Sequence, residues 1–273
     1  MPPGREPLPL RHAIALGLAQ GPTELLPVSS SAHTALVPWL AGWPYANLDG
    51  ELRKSFEVAV HAGAGCALAI VMRGKLRRQV ASMDGRRASV LALSLAPPAI
   101  AGYLLEGSIE RRLGGPRSIA AALTAGAVAM ALADVTPGER ARGAEDARAA
   151  DGLALGLAQA AALIPGVSRN GATLATARAR GFARDDAQAL SWSVALPVIL
   201  GASALKGRRL ARTGVRPQER TAMAAGAGAA FLSTLASASV LRRRRAGARG
   251  LLPYSLYRCL LAALVLRRLR RAQ

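Results

Sequence analysis

Long apolar windows alternate with short charged clusters along this chain. No Asp, Glu, Lys or Arg occurs in residues 88–105, 187–205 or 221–241. Residues 118–133 and 152–168 are shorter windows of the same kind, and 58–72 is interrupted only by His61. A helix crosses a bilayer core of about 30 Å with about 20 mostly apolar residues. A soluble helix carries a polar stripe on one face, and residues 221–241 have only Ser and Thr to offer for one. The pattern predicts an all-α polytopic membrane protein with roughly seven or eight apolar segments. Three spans are expected in the first part of the chain, at 55–72, 88–105 and 118–133, and three in the second, at 187–205, 221–241 and 250–266.

The pattern also repeats. Gly17-Leu18-Ala19-Gln20 returns letter for letter as Gly156-Leu157-Ala158-Gln159. Each copy leads to a proline and a polar break: Pro27-Val28-Ser29-Ser30-Ser31-Ala32-His33 in the first, Pro165-Gly166-Val167-Ser168-Arg169-Asn170-Gly171 in the second. Ser55-Phe56-Glu57-Val58 is echoed by Ser191-Trp192-Ser193-Val194. The arms beside each break are too short to cross alone, as expected of a re-entrant pair or a discontinuous helix whose irregular backbone is sheltered by protein. The chain is therefore expected to be one integral membrane domain over 1–273. Repeat 1 is placed at about 10–133 and repeat 2 at about 152–266, joined by a charged linker with Pro137 and Gly138. Broken apolar segments at matching places in two halves point to a site at the breaks.

Charge then changes the picture. The chain has 36 Lys+Arg against 16 Asp+Glu, a net charge of +20, although 51% of it is hydrophobic. The basic runs are short and loop-like, at 73–87, 206–220, 242–245 and 267–271. Between apolar spans such runs face anionic lipid and the cytoplasm rather than nucleic acid. The start, Met1-Pro2-Pro3-Gly4, shows no cleavage pattern of a signal peptide. Cys66 and Cys259 are expected to be packing residues, without a disulfide or metal framework. Trp39, Trp43 and Trp192 are expected at the interface or in packing, and His12 at the interface.

The candidate chemistry sits at the breaks. Glu24 is an ionisable residue in an apolar setting, and such residues mark function. Gln20 lies one turn before it on the same helix face. With Ser29, Ser30 and His33 this stretch supplies a carboxylate, hydroxyls and an imidazole, the parts of a general base and a nucleophile. Arg169 is the cation of the second break. A guanidinium beside glycines at a helix start suits a phosphate. Glu57 either joins the site or caps its span. Arg258, inside the last span, requires a partner or an anion.

These motifs carry a resemblance. The stretch from Gln20 to His33 resembles the first signature of the undecaprenyl-diphosphate phosphatase family of the bacitracin-resistance type. Pro165-Gly166-Val167-Ser168-Arg169-Asn170-Gly171-Ala172-Thr173 is similar to its second, and Lys54–Val58 and Pro253–Arg258 to two further family stretches. The resemblance implies a bacterial inner-membrane protein of two inverted-topology repeats. It would remove the terminal phosphate from a polyprenyl diphosphate, recycling the lipid carrier of peptidoglycan synthesis. It also implies a divalent cation, Mg²⁺ or Ca²⁺, with Glu24 as ligand. Glu24, Ser30, His33 and Arg169 would be catalytic; Ser29, Ser168, Asn170, Gly171 and Thr173 would join Arg169 in binding substrate. Ser30 is the preferred nucleophile, with His33 or Glu24 as base and an in-line water as the alternative. The expected partners are the membrane, the lipid and a second copy of the chain; nucleic acid is not expected.

Three positions depart from the family pattern: Gln20 stands where a first glutamate is usual, Asn170 where a serine is, and Ala189 where a glutamate is. A lipid-phosphate transporter or flippase, or a non-catalytic paralogue, is the competing reading. The other integral lipid-phosphatase superfamily needs a histidine six positions after its arginine, where this chain has Ala175.

Overall fold

The computed structural model describes residues 8–135, 142–213, 217–243 and 250–271. Among the described residues there are ten α-helices and no β-strand. One parallel bridge pairs Arg142 with Phe182. The first break separates α1 (Leu10–Leu25) from α2 (Ser30–Ala41), and α3 (Gly50–Ala81), α4 (Gly85–Leu113) and α5 (Pro116–Val135) follow. The second break separates α6 (Ala149–Ala161) from α7 (Arg169–Ala179). It is followed by α8 (Arg184–Thr213), α9 (Pro217–Arg243) and α10 (Leu252–Arg271). The same order of short, short and three longer helices thus occurs twice. The Pro137–Gly138 part of the linker and residues 244–245 of one basic run lie outside the described residues.

Among the described residues five helices are long and apolar enough to cross a membrane: Gly50–Ala81, Gly85–Leu113, Pro116–Val135, Arg184–Leu205 and Glu219–Leu241. The sixth expected span forms as helix α10, but Arg258 and the arginines at 267, 268, 270 and 271 keep it out of that group. The arms of the breaks are short. α1 has 16 residues and α2 has 12; α6 has 13 and α7 has 11. At 1.5 Å per residue, none spans about 30 Å. Pro22 is accommodated inside α1. Pro27 falls in the break, where its missing N–H and its restriction of Leu26 stop the helix.

The basic run at 73–87 is not a loop. α3 continues through it to Ala81, and α4 opens at Gly85, capped by Asp84 Oδ1, which accepts from Arg87 N at 2.7 Å. Arg and Lys are good helix formers, so the helix continues past its apolar window. Large side chains such as Leu104, Leu132, Leu205 and Leu260 face outward, as they do where lipid is the solvent. The two cysteines, expected in packing, also lie on the exposed surface.

The helices form two compact units, and each draws on both halves of the sequence. One comprises α1, α2 from His33 onward, α3 as far as Arg73, the end of α8 from Val198, and α9. Its core includes Leu16, Leu52, Phe56, Val60 and Ala230. Gly17 and Gly21, four apart on α1, meet Gly226 and Ser233 of α9, and Ser233 Oγ donates to Leu18 O at 2.6 Å. His12 is buried here, stacked on Trp43 at 4.0 Å.

The other unit comprises Leu26–Ala32, α3 from Gly74, α4 to α7, α8 as far as Pro197, and α10. Its core includes Met130, Leu155, Leu174, Phe182, Leu190 and Val194. Gly152 and Gly156 of α6, again four apart, pack on Val90, Leu93 and Pro97 of α4. Small residues at this spacing let helix backbones approach closely where the hydrophobic effect cannot drive helices together. Asp134 takes hydrogen bonds from Leu251 N (2.8 Å) and Arg184 Nη2 (2.9 Å), so the end of α5 is tied to the starts of α10 and α8.

Candidate active site at the two helix breaks

The last turns of α1 carry Gln20 and Glu24, both buried. Gln20 Nε2 donates to Glu24 Oε2 at 3.1 Å. Gln20 Oε1 is buried and has no hydrogen-bond partner among the described residues. Its counterpart Gln159 shows the same state: Nε2 donates to Ser94 O at 3.0 Å, and Oε1 is unpartnered. The hard, oxygen-only character of Glu24 and the orphaned Gln20 oxygen fits Mg²⁺ or Ca²⁺. Such ions take carboxylate and amide oxygens together with water and substrate phosphates. Among the described residues no cluster of three or more His, Cys, Asp or Glu could hold a metal by itself.

Beyond the turn at 26–28, the chain enters α2 through Ser29, whose φ is +73°. Its Oγ accepts from Ala32 N at 3.4 Å and lies 3.2 Å from Ser31 Oγ. Ser30 is the first residue of α2 and half-buried; His33 follows one turn on, buried, on the same helix face.

The second break repeats this entry. α6 ends in tightened turns, with Leu163 N bonding Ala160 O and Ile164 N bonding Ala161 O, and Gly166 takes φ +107°. Ser168 then takes φ +67°, and its Oγ accepts from Gly171 N at 3.2 Å. Among the described residues Ser29 and Ser168 alone, apart from glycines, have positive φ. A left-handed L-residue costs about 1–2 kcal/mol, and here the serine cap at a helix start offsets part of it. Both serines thus occupy the same strained capping position. Each is followed by a helix N-terminus, where free N–H groups and the helix dipole favour an anion. Arg169 holds the first position of α7, half-buried.

The remaining expected residues divide. Asn170, Gly171 and Thr173 are buried in α7. Ser191 Oγ of α8 donates to Asn170 Oδ1 at 3.1 Å and lies 2.6 Å from Thr173 Oγ1. Thr173 Oγ1 also bonds Arg169 O at 2.9 Å. These groups therefore fix α7 on α8 and set the direction from which Arg169 leaves the helix. Glu57 is no helix cap, because α3 begins at Gly50; it is half-buried inside the helix, and its carbonyl takes His61 Nδ1 at 2.8 Å. Ser29, Ser30, Ser168, Arg169, Asn170, Gly171, Thr173 and Arg258 belong to one compact unit; Gln20, Glu24, His33 and Glu57 belong to the other.

Among the described residues Arg258 finds no carboxylate partner. Fully buried, its guanidinium donates to backbone carbonyls: Nη2 to Gly166 O (2.7 Å), Val167 O (3.0 Å) and Ala122 O (3.4 Å), Nε to Leu123 O (3.3 Å), and Nη1 to Pro27 O (3.4 Å). Nη1 also meets Met130 Sδ at 3.4 Å. Two further features of this unit carry a signal in the sequence. Ser191 opens the echoed Ser191–Val194 stretch. Asp151 is an acid at the head of an apolar window, and it is clasped by Arg142 (2.7 Å) and Arg180 (2.6 Å).

Residues 13–264 match the family described as bacitracin resistance protein BacA. The chain is 39% identical over 247 residues to a protein of Geobacter sulfurreducens named undecaprenyl-diphosphatase, covering 86% of this chain and 89% of that one. It is 36% identical over 267 residues to one of the same name from Geobacter metallireducens, covering 93% and 96%. A third so named, from Moorella thermoacetica, is 36% identical over 266 residues, covering 93% and 95%.

Proposed function

The chain belongs to the bacitracin resistance protein family, and on that premise we propose that it is a multi-pass membrane undecaprenyl-diphosphatase. It hydrolyses a polyprenyl diphosphate to the monophosphate and inorganic phosphate, which returns the lipid carrier to peptidoglycan synthesis. Its place is the bacterial inner membrane, and its two halves are inverted repeats. The observation that carries this reading is the matched pair of breaks. Each has a left-handed capping serine (Ser29, Ser168) ahead of a helix N-terminus, and Arg169 stands at the second.

The roles follow from chemistry. Arg169 grips the terminal phosphate through its planar fork of donors, and Ser168 fixes the helix start from which it projects. Ser29 is engaged in capping α2, so the nucleophile is Ser30. His33, one turn along the same face, takes the proton from Ser30 Oγ as the oxygen attacks the terminal phosphorus. The bond to the bridging oxygen breaks, and that oxygen leaves on the polyprenyl monophosphate. Water then releases phosphate from the serine. Glu24, with Gln20 Oε1, would hold a divalent cation, which neutralises charge on the diphosphate when bound. The apolar outward faces keep the polyprenyl chain in lipid.

The test is release of inorganic phosphate from a polyprenyl diphosphate by the purified protein in detergent. Release is expected, and its loss in Glu24→Ala and in Arg169→Ala would tie it to these breaks. A wild-type protein that binds the lipid or moves it across vesicles without releasing phosphate would overturn the reading in favour of a transporter.

A further inference from the structure

The side chain of Arg258 reaches the backbone of both breaks. Pro27 O lies two residues before Ser29, and Val167 O and Gly166 O lie one and two residues before Ser168. Each carbonyl thus belongs to the turn that delivers a left-handed serine. The groups around the guanidinium are shaped for it. A Cβ on Gly126 of α5 would overlap Nη2, and one on Gly171 of α7 would come within 2.9 Å of Nη1. Five carbonyls from three segments take its donors. A buried cation is costly, and here it is satisfied wholly by backbone dipoles and a thioether. Its donors are occupied, so it has no capacity left for a phosphate.

We propose that Arg258 is a positioning residue that cross-ties the two breaks, holding the Ser29–Ser30 and Ser168–Arg169 helix starts in fixed register. The inference rests on the phosphatase reading for its kinetic consequence but not for its structural one. A tie of this kind sets where the nucleophile stands relative to a phosphate held by Arg169. Loosening it lowers kcat while Arg169 and the α7 N-terminus still bind the headgroup, so KM changes little. Lysine keeps the charge but has one point of donation where arginine has a fork, so it cannot hold both turns at once.

The experiment combines kinetics with hydrogen exchange on the full chain in detergent. In Arg258→Lys, kcat for phosphate release is expected to fall at least tenfold with KM within about threefold. Amide exchange in segments 26–32 and 164–171 should accelerate together, while α4 keeps its protection. Acceleration in only one segment, or wild-type kcat, would overturn the tie. If Arg258→Lys loses protection everywhere, Gly126→Ala serves instead. It pushes on the guanidinium from α5 without removing it, and unchanged exchange at both breaks in that folded variant would overturn the proposal. A wild-type protein without phosphate release defeats the phosphatase reading alone, because the exchange result stands without any turnover.

Discussion

The residues at the breaks carry different burdens, and substitution separates them. Arg169 acts through geometry as well as charge. Arg169→Lys should cut kcat/KM roughly 10- to 100-fold, since the single ammonium loses the bidentate grip on a phosphate; steady-state phosphate release checks it, and full activity would remove Arg169 from the phosphate site. Gln20 poses the opposite question. Its amide already donates to Glu24 and leaves Oε1 buried without a partner. Gln20→Glu places a second carboxylate beside the first, and two close carboxylates hold a hard cation better than one carboxylate and an amide. The variant should need less Mg²⁺ or Ca²⁺ for half-maximal activity, read from metal titrations of the chelator-treated enzyme. In the sequence, Glu24, the serines and Arg169 were legible as polar residues in apolar surroundings. The commitment of Asn170 and Thr173 to Ser191 was not, because it depends on which face of α8 meets α7.

At the level of helices, small residues decide the close contacts. Gly156 of α6 sits against Leu93 O and the Pro97 ring of α4. Gly156→Leu cannot be accommodated there and should destabilise by about 1–3 kcal/mol through overpacking, seen as a lower unfolding temperature in detergent. Gly102, on α4, has nothing near its missing Cβ. Gly102→Ala should be neutral or stabilising by up to about 1 kcal/mol, because alanine favours the helix; the pair of variants tests close approach against propensity. The four-residue spacing of Gly17 and Gly21 and of Gly152 and Gly156 is visible in the sequence, but their partners are not. The basic run at 73–87 shows the converse error. Charge density marked a loop, whereas α3 runs on to Ala81 and α4 opens at Gly85, because arginine and lysine suit a helix.

In the molecule as a whole, a few buried polar ties connect segments far apart in sequence. Asp151 lies outside the five spanning helices and is almost wholly buried. Burial by itself would raise its pKa. Hydrogen bonds from Arg142, the Arg148 N–H and Arg180 outweigh that and hold it at about 2, below its ordinary 3.8. A carboxyl depressed on folding stabilises above its unfolded pKa and loses that contribution as pH falls through the folded value. Its share, about 2 kcal/mol by that linkage, should therefore be intact above about pH 4 and vanish between there and about pH 2. Thermal unfolding of wild type against Asp151→Asn should show a difference at pH 7 that shrinks across that window. A difference independent of pH would mean that packing, not charge, holds the clasp.

The amino-acid sequence by itself determined the helical class, five of the six expected spanning windows, the two breaks and the serines and arginine within them. Each of these follows from local composition: apolar length, proline and glycine, and polar groups in an apolar run. The tertiary structure alone decided what joins the breaks. Arg258 reaches Pro27, 231 residues away, and Gly166, 92 residues away, and binds only their carbonyls. Every residue has a carbonyl, so such a bond leaves no trace in the identity of the residue that accepts it.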